Sequence, residues 1–134
     1  MMAKMGNVEK KWERNGLECK VLTHTILYHR CGYVEVPENH PMYGKDYGEA
    51  PWDWHDAVNG GLTFSDSVDG KWMVGFDCGH CGDAPDISLI DDEGERARFA
   101  ERNWHLFHPE NHIWTLEEVE RQVNALADLV GGES

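Results

Sequence analysis

Within seven residues, Asp77-Cys78-Gly79-His80-Cys81-Gly82-Asp83 brings together two carboxylates, two thiols and an imidazole. Its inner Cys78-Gly79-His80-Cys81 has the C-x-x-C spacing at which two thiolates reach one tetrahedral ion. The same four residue types serve disulfide exchange where a helix N-terminus depresses the first thiol's pKa. Here Gly82-Asp83-Ala84-Pro85 follows, poor material for such a helix, and no βαβ pattern precedes it. A metal corner is the expected chemistry, with Zn²⁺ as the ion and Asp77, Cys78, His80, Cys81 and Asp83 as donors. Cys19 and Cys31 are too far apart to form a second C-x-x-C, so histidine or aspartate must complete the sphere. A second reading sets the thiols aside. Asp77, His80 and Asp83 then hold a divalent ion that activates water, as in a metal-dependent hydrolase. His40, in His40-Pro41, and Asn59, before Gly60-Gly61, are expected to approach from elsewhere. His105-x-x-His108-x-x-x-His112 is another candidate cluster, interrupted by Pro109. No G-x-S-x-G elbow, Walker loop or dinucleotide fingerprint occurs.

These residues need a frame. Trp72 to Phe76 reads as a strand running straight into the cluster, and Gly60-Gly61 opens a short strand, Leu62 to Phe64. A turn is expected from Ser65 to Gly70. Leu17 to Leu22 and Tyr33 to Val36 alternate loosely, as in half-buried strands, while the stretch between them stays open between strand and loop. Residues 1–16 read as an N-terminal arm with Trp12 as its anchor. Residues 37–60, with three prolines, read as a long loop along one rim. Trp52 and Trp54 are expected to cover the sheet edge, or else to anchor a partner. A short helix is expected within Glu95 to Phe107. The last element is the clearest. Thr115 and Glu118 form a capping box, and Leu116, Val119, Val123, Leu126 and Val130 give residues 115–130 one apolar face. The expected fold is α+β, a single domain over 1–134 with a small, mainly antiparallel sheet of four to six strands under the C-terminal helix.

The 134 residues carry 12 Lys and Arg against 25 Asp and Glu, a formal charge of -13. That balance excludes direct binding of nucleic acid or anionic membrane, since phosphate contacts need a basic footprint. No apolar run approaches the length of a transmembrane helix. The start lacks the apolar stretch of a secretory signal, so reduced thiols and a cytoplasmic setting, within a bacterial host, are expected. The acids of Asp91, Asp92 and Glu93 are the expected contact with a basic protein partner, which they would attract by electrostatic steering.

Three ordered segments carry a resemblance. They are Arg30-Cys31-Gly32-Tyr33-Val34-Glu35-Val36-Pro37 with His40-Pro41 and Tyr43-Gly44; Gly60-Gly61-Leu62-Thr63-Phe64; and Trp72 to Cys78 with His80 and Gly82-Asp83. Together they resemble a family of small proteins encoded by bacteriophages and prophages, mostly without assigned activity. That pattern has histidine before the double glycine, where this chain has Asn59, and a small residue at Gly79; Cys81 lies outside it. Small acidic phage proteins include inhibitors of bacterial immunity, some of them metal-binding anti-CRISPR proteins. The resemblance is thus consistent with stoichiometric inhibition of bacterial immunity. A Cas9-type nuclease, with its positively charged channels, is one basic partner toward which the charge of -13 would steer the chain. Asn59 favours binding over catalysis, because an amide cannot shuttle a proton as histidine does.

Overall fold

The computed structural model describes residues 6–79 and 82–132. Five strands form one sheet: β1 (Gly6–Arg14), β2 (Leu17–His24), β3 (Arg30–Val36), β4 (Phe64–Val68) and β5 (Lys71–Asp77). Their order is β1-β2-β3-β5-β4 and every pairing is antiparallel. Three helices follow the chain: α1 (Trp52–Asp56), α2 (Glu93–Arg102) and α3 (Leu116–Gly132). The fold is α+β, with α3 lying on the sheet.

Register explains the core. Cys19, Val34 and Val74 are cross-strand neighbours, and with Val21, Val36 and Phe76 they face the apolar stripe of α3. Val119, Val123, Leu126, Ala127 and Val130 of that stripe are fully buried. Each such side chain contributes about 1.5–3 kcal/mol by leaving water, so the interface is the main source of stability. The capping box forms as expected. Glu118 N–H donates to Thr115 Oγ1 at 3.2 Å, and Thr115 N–H donates to Glu118 Oε1 at 3.0 Å. The opposite sheet face carries a smaller cluster of Leu22, Cys31, Tyr33, Val68 and Met73. The Tyr33 ring lies over Gly75, where an added Cβ would come within 2.3 Å of it. Because both faces are covered, β2 is buried almost throughout and shows little of the expected alternation.

Several expectations need correction. The supposed arm is edge strand β1, held under α3 by Trp12 Nε1–H to Asn124 at 2.9 Å and by Lys10 to Glu120 at 2.8 Å. The supposed loop 37–60 contains a 3-10 turn at Tyr47–Glu49 and helix α1. Its tryptophans divide, Trp54 being fully buried and Trp52 74% exposed. Phe64 starts β4 rather than ending a strand, and the turn contracts to Asp69-Gly70. The expected helix within 95–107 is α2 followed by a 3-10 turn at Trp104–Phe107. Beyond the sheet, β6 (Asp83–Ala84) and β7 (His112–Ile113) pair in parallel. Arg30 ties this outlying segment to the sheet. Nearly buried, it donates to Glu9 at 2.7 Å, Asp86 at 2.8 Å and the Trp114 carbonyl at 2.9 Å. Among the described residues, no helix is long and apolar enough to cross a membrane.

Candidate functional site

The end of β5 opens onto a cleft of about 610 Å³ where three chain segments meet. Cys78, Gly79, Gly82, Asp83, Ala84 and Pro85 come from the strand end, and Leu27 and His29 from the β2–β3 turn. Asn103, His105, Leu106, His108 and Asn111 come from the segment after α2. The turn is fixed locally. His24 Nδ1 accepts the N–H groups of Ile26 and Leu27, at 3.2 and 3.1 Å, and the His24 and His29 rings stack at 5.0 Å. Tyr28 takes a left-handed φ of 54° and stands edge-on to Phe99, which in turn meets Phe107. This aromatic chain holds the third segment beside the turn. Gly79 admits the His29 ring, since a Cβ there would lie 3.0 Å from Nδ1.

Asp83 anchors the floor. Its Oδ2 accepts Asn59 Nδ2–H and its Oδ1 accepts Trp114 Nε1–H, both at 2.8 Å. The Asn59 backbone N–H donates to Gln122 of α3 at 2.6 Å. Asn59 therefore does approach from elsewhere, as its place before the double glycine suggested. Burial pushes the Cys78 thiol well above its ordinary pKa, the nearby Asp83 charge adds to this, and Asn59 opposes it. A thiol so protonated is a poor nucleophile. Burial likewise lifts Cys31 to about 12 and Cys19 to about 11.

The other expected donors within the described residues make contacts of their own. Asp77 Oδ1 accepts the Gly79 N–H at 3.0 Å and Oδ2 accepts the Thr63 hydroxyl at 3.3 Å. Asp77 and Asp83 accept from different donors in these contacts. His80 and Cys81 lie outside the described residues. His40 is a correction. Its Nε2–H donates to the Val130 carbonyl at 3.0 Å and its Nδ1 accepts the Met42 N–H at 2.9 Å, so both nitrogens hold backbone in the core. Among the described residues, no three His, Cys, Asp or Glu side chains are grouped to hold a metal ion. The trio of histidines also divides. His105 and His108 line the cleft, whereas His112 Nε2–H donates to Glu118 at the start of α3. Sequence reasoning passed over His29, Leu27, Asn103 and Asn111. For Leu27 and His29 the visible signal was an Ile-Leu pair at a turn between two histidines.

On the other side of the same turn lies a groove of about 450 Å³, lined by Glu9, Thr25, Tyr28, Asp91, Asp92 and Glu95 among others. Glu9 is held by Arg30, and Asp92 caps α2 by accepting the Glu95 N–H at 2.8 Å. Asp91 and Glu95 have no cationic partner among the described residues. Glu93 is exposed in the first turn of α2.

No protein-family model matches the chain, and neither curated proteins nor solved structures give a match.

Proposed function

We propose that this chain is an acidic interaction protein that binds a basic protein partner stoichiometrically. The observation that supports this reading best is the groove beside α2. It gathers Asp91, Asp92 and Glu95 on one exposed surface, while the sheet's cations are spent on acids of the sheet and of α3. Asp92 stands 3.9 Å from Arg98, but Asp91 and Glu95 have no cationic partner among the described residues. Carboxylates left in excess at a concave surface attract a basic partner and speed its encounter. A nucleic-acid-binding protein offers such a basic surface, and a Cas9-type nuclease, with positively charged channels, is the partner to which the phage resemblance directs this reading.

The test uses a lysine-rich nonapeptide as probe, titrated calorimetrically. It should bind with one-to-one stoichiometry and weaken as salt rises, because exposed charges are screened beyond about 10 Å at 0.1 M. Asp91→Lys with Glu95→Lys should weaken it at least about fivefold more than Glu38→Lys with Asp56→Lys, which changes net charge equally. Equal effects from the two pairs would remove the groove from the interface. Asp92 is left intact because it caps α2.

A further inference from the structure

The β2–β3 turn separates two depressions and contributes to both. Thr25 and Tyr28 line the acidic groove, whereas Leu27 and His29 line the cleft. Ile26, between them, is 70% exposed. On the segment after α2, His105 lines the cleft, and the ring of Trp104, 75% exposed, stands against it with centroids 6.2 Å apart. Leu27, next to Ile26, is 44% exposed and lines the cleft.

We infer that the cleft is the pocket for an aromatic side chain of the same basic partner whose cationic stretch occupies the acidic groove. The inference rests on the reading of the groove given above. Volume agrees, since about 610 Å³ lies within the range of pockets that enclose compact organic groups. The walls agree too. Leu27, Ala84, Pro85 and Leu106 give apolar surface, and the imidazoles of His105 and His108 give flat faces on which a ring can rest. The polar groups are suited to an indole or phenol. His108 Nδ1 accepts the Glu110 N–H at 3.2 Å, so neutral His108 presents Nε2–H as a donor. Asn111 spends its amide N–H on the Leu106 carbonyl at 2.9 Å and Asn103 spends its own on the Phe99 carbonyl at 3.0 Å. Each side-chain oxygen then remains an acceptor for an indole N–H or phenol O–H. Charge selects the sequence around the ring. The carboxylates of Asp91, Asp92 and Glu95 beyond the turn repel an acidic flank and attract Lys or Arg. A buried aromatic anchor flanked by charge is the usual make-up of an interface hot spot.

The experiment compares two lysine-rich nonapeptides that differ only in a central tryptophan or alanine. The tryptophan peptide should bind at least about tenfold more tightly to the intact chain. Leu27→Ala with His105→Ala, both cleft-lining and at exposed positions, should abolish that preference while leaving alanine-peptide affinity unchanged, which also reports an intact fold. Equal binding of the two peptides, or a preference that survives the double substitution, would overturn the cleft as anchor and leave the groove standing. Binding of neither peptide would overturn the groove reading and the cleft with it.

Discussion

Asp83 shows how far side-chain types can be read before their surroundings are known. Its place two residues after a C-x-x-C made it legible as a cluster member, and Asn59 was legible from its position before two glycines. The structure joins them, but as acceptor and donor. Asp83→Ala leaves the Asn59 amide and the Trp114 indole without their acceptor, and each half-buried donor so stranded costs about 1–3 kcal/mol. Urea denaturation should therefore show a loss of about 2–6 kcal/mol for the two donors together, and Asp83→Asn, which keeps one acceptor oxygen, should lose less. An unchanged midpoint for Asp83→Ala would mean that Asp83 does not anchor the cleft floor. His40 was misread for a reason of the same kind. Residue type and a neighbouring proline announce a ligand and a turn equally well, and only burial reveals that both ring nitrogens hold backbone. The cleft's amides were unreadable because Asn103 and Asn111 carry no spacing signal.

Among elements, α3 was legible because capping chemistry and a 3.6-residue apolar period agree, although the helix runs on through Gly131 and Gly132, which were expected to end it. Strand β1 was not. Lys10, Trp12 and Arg14 do alternate toward α3, but two of the three reach it through ion pairs with Glu120 and Asp128, so apolar periodicity is missing. Helix α1 escaped because five residues are too few for a periodic pattern. The cap of α3 also makes the molecule sensitive to acid. The Thr115 N–H holds the Glu118 carboxyl below its ordinary pKa, slight burial works against this, and His112 adds to the lowering. A carboxyl with a lowered folded value contributes stability that is complete above the unfolded pKa, about 4.3 for Glu. That contribution disappears as pH falls through the folded value. Glu118→Gln should cost little at pH 7, since glutamine can still close the capping box, and should flatten the fall in melting temperature between about pH 5 and pH 3. Parallel pH profiles for the two proteins would show that the ionised cap contributes nothing.

At the scale of the whole molecule, charge is arranged rather than merely abundant. Lys10, Lys11, Arg14 and Lys71 pair with acids on the sheet and α3. Beside α2, Asp91 and Glu95 have no cationic partner among the described residues, although Arg98 stands 3.9 Å from Asp92. Arg30 connects the two regions. It is the tie between β3, edge strand β1 through Glu9, and the segment that carries β6, the cleft and β7, through Asp86 and the Trp114 carbonyl. Burial opposes the Asp86 charge, but Ser88 and Arg30 outweigh it and hold that carboxyl below its ordinary range. Arg30→Met keeps the apolar stem yet strands Glu9 and Asp86 without their cation, a change that costs about 3–5 kcal/mol when the pair is buried. Guanidinium denaturation should show a loss of that order, with Glu9→Gln losing less because Asp86 and the Trp114 carbonyl still engage the guanidinium. The cleft depends on the same tie, since its floor and far wall both belong to the segment that Arg30 secures. In the folded Arg30→Met protein, the preference for the tryptophan peptide should fall while the alanine peptide still binds the groove. An Arg30→Met protein as stable as the parent, with the tryptophan preference intact, would show that the cleft segment holds its place without the sheet.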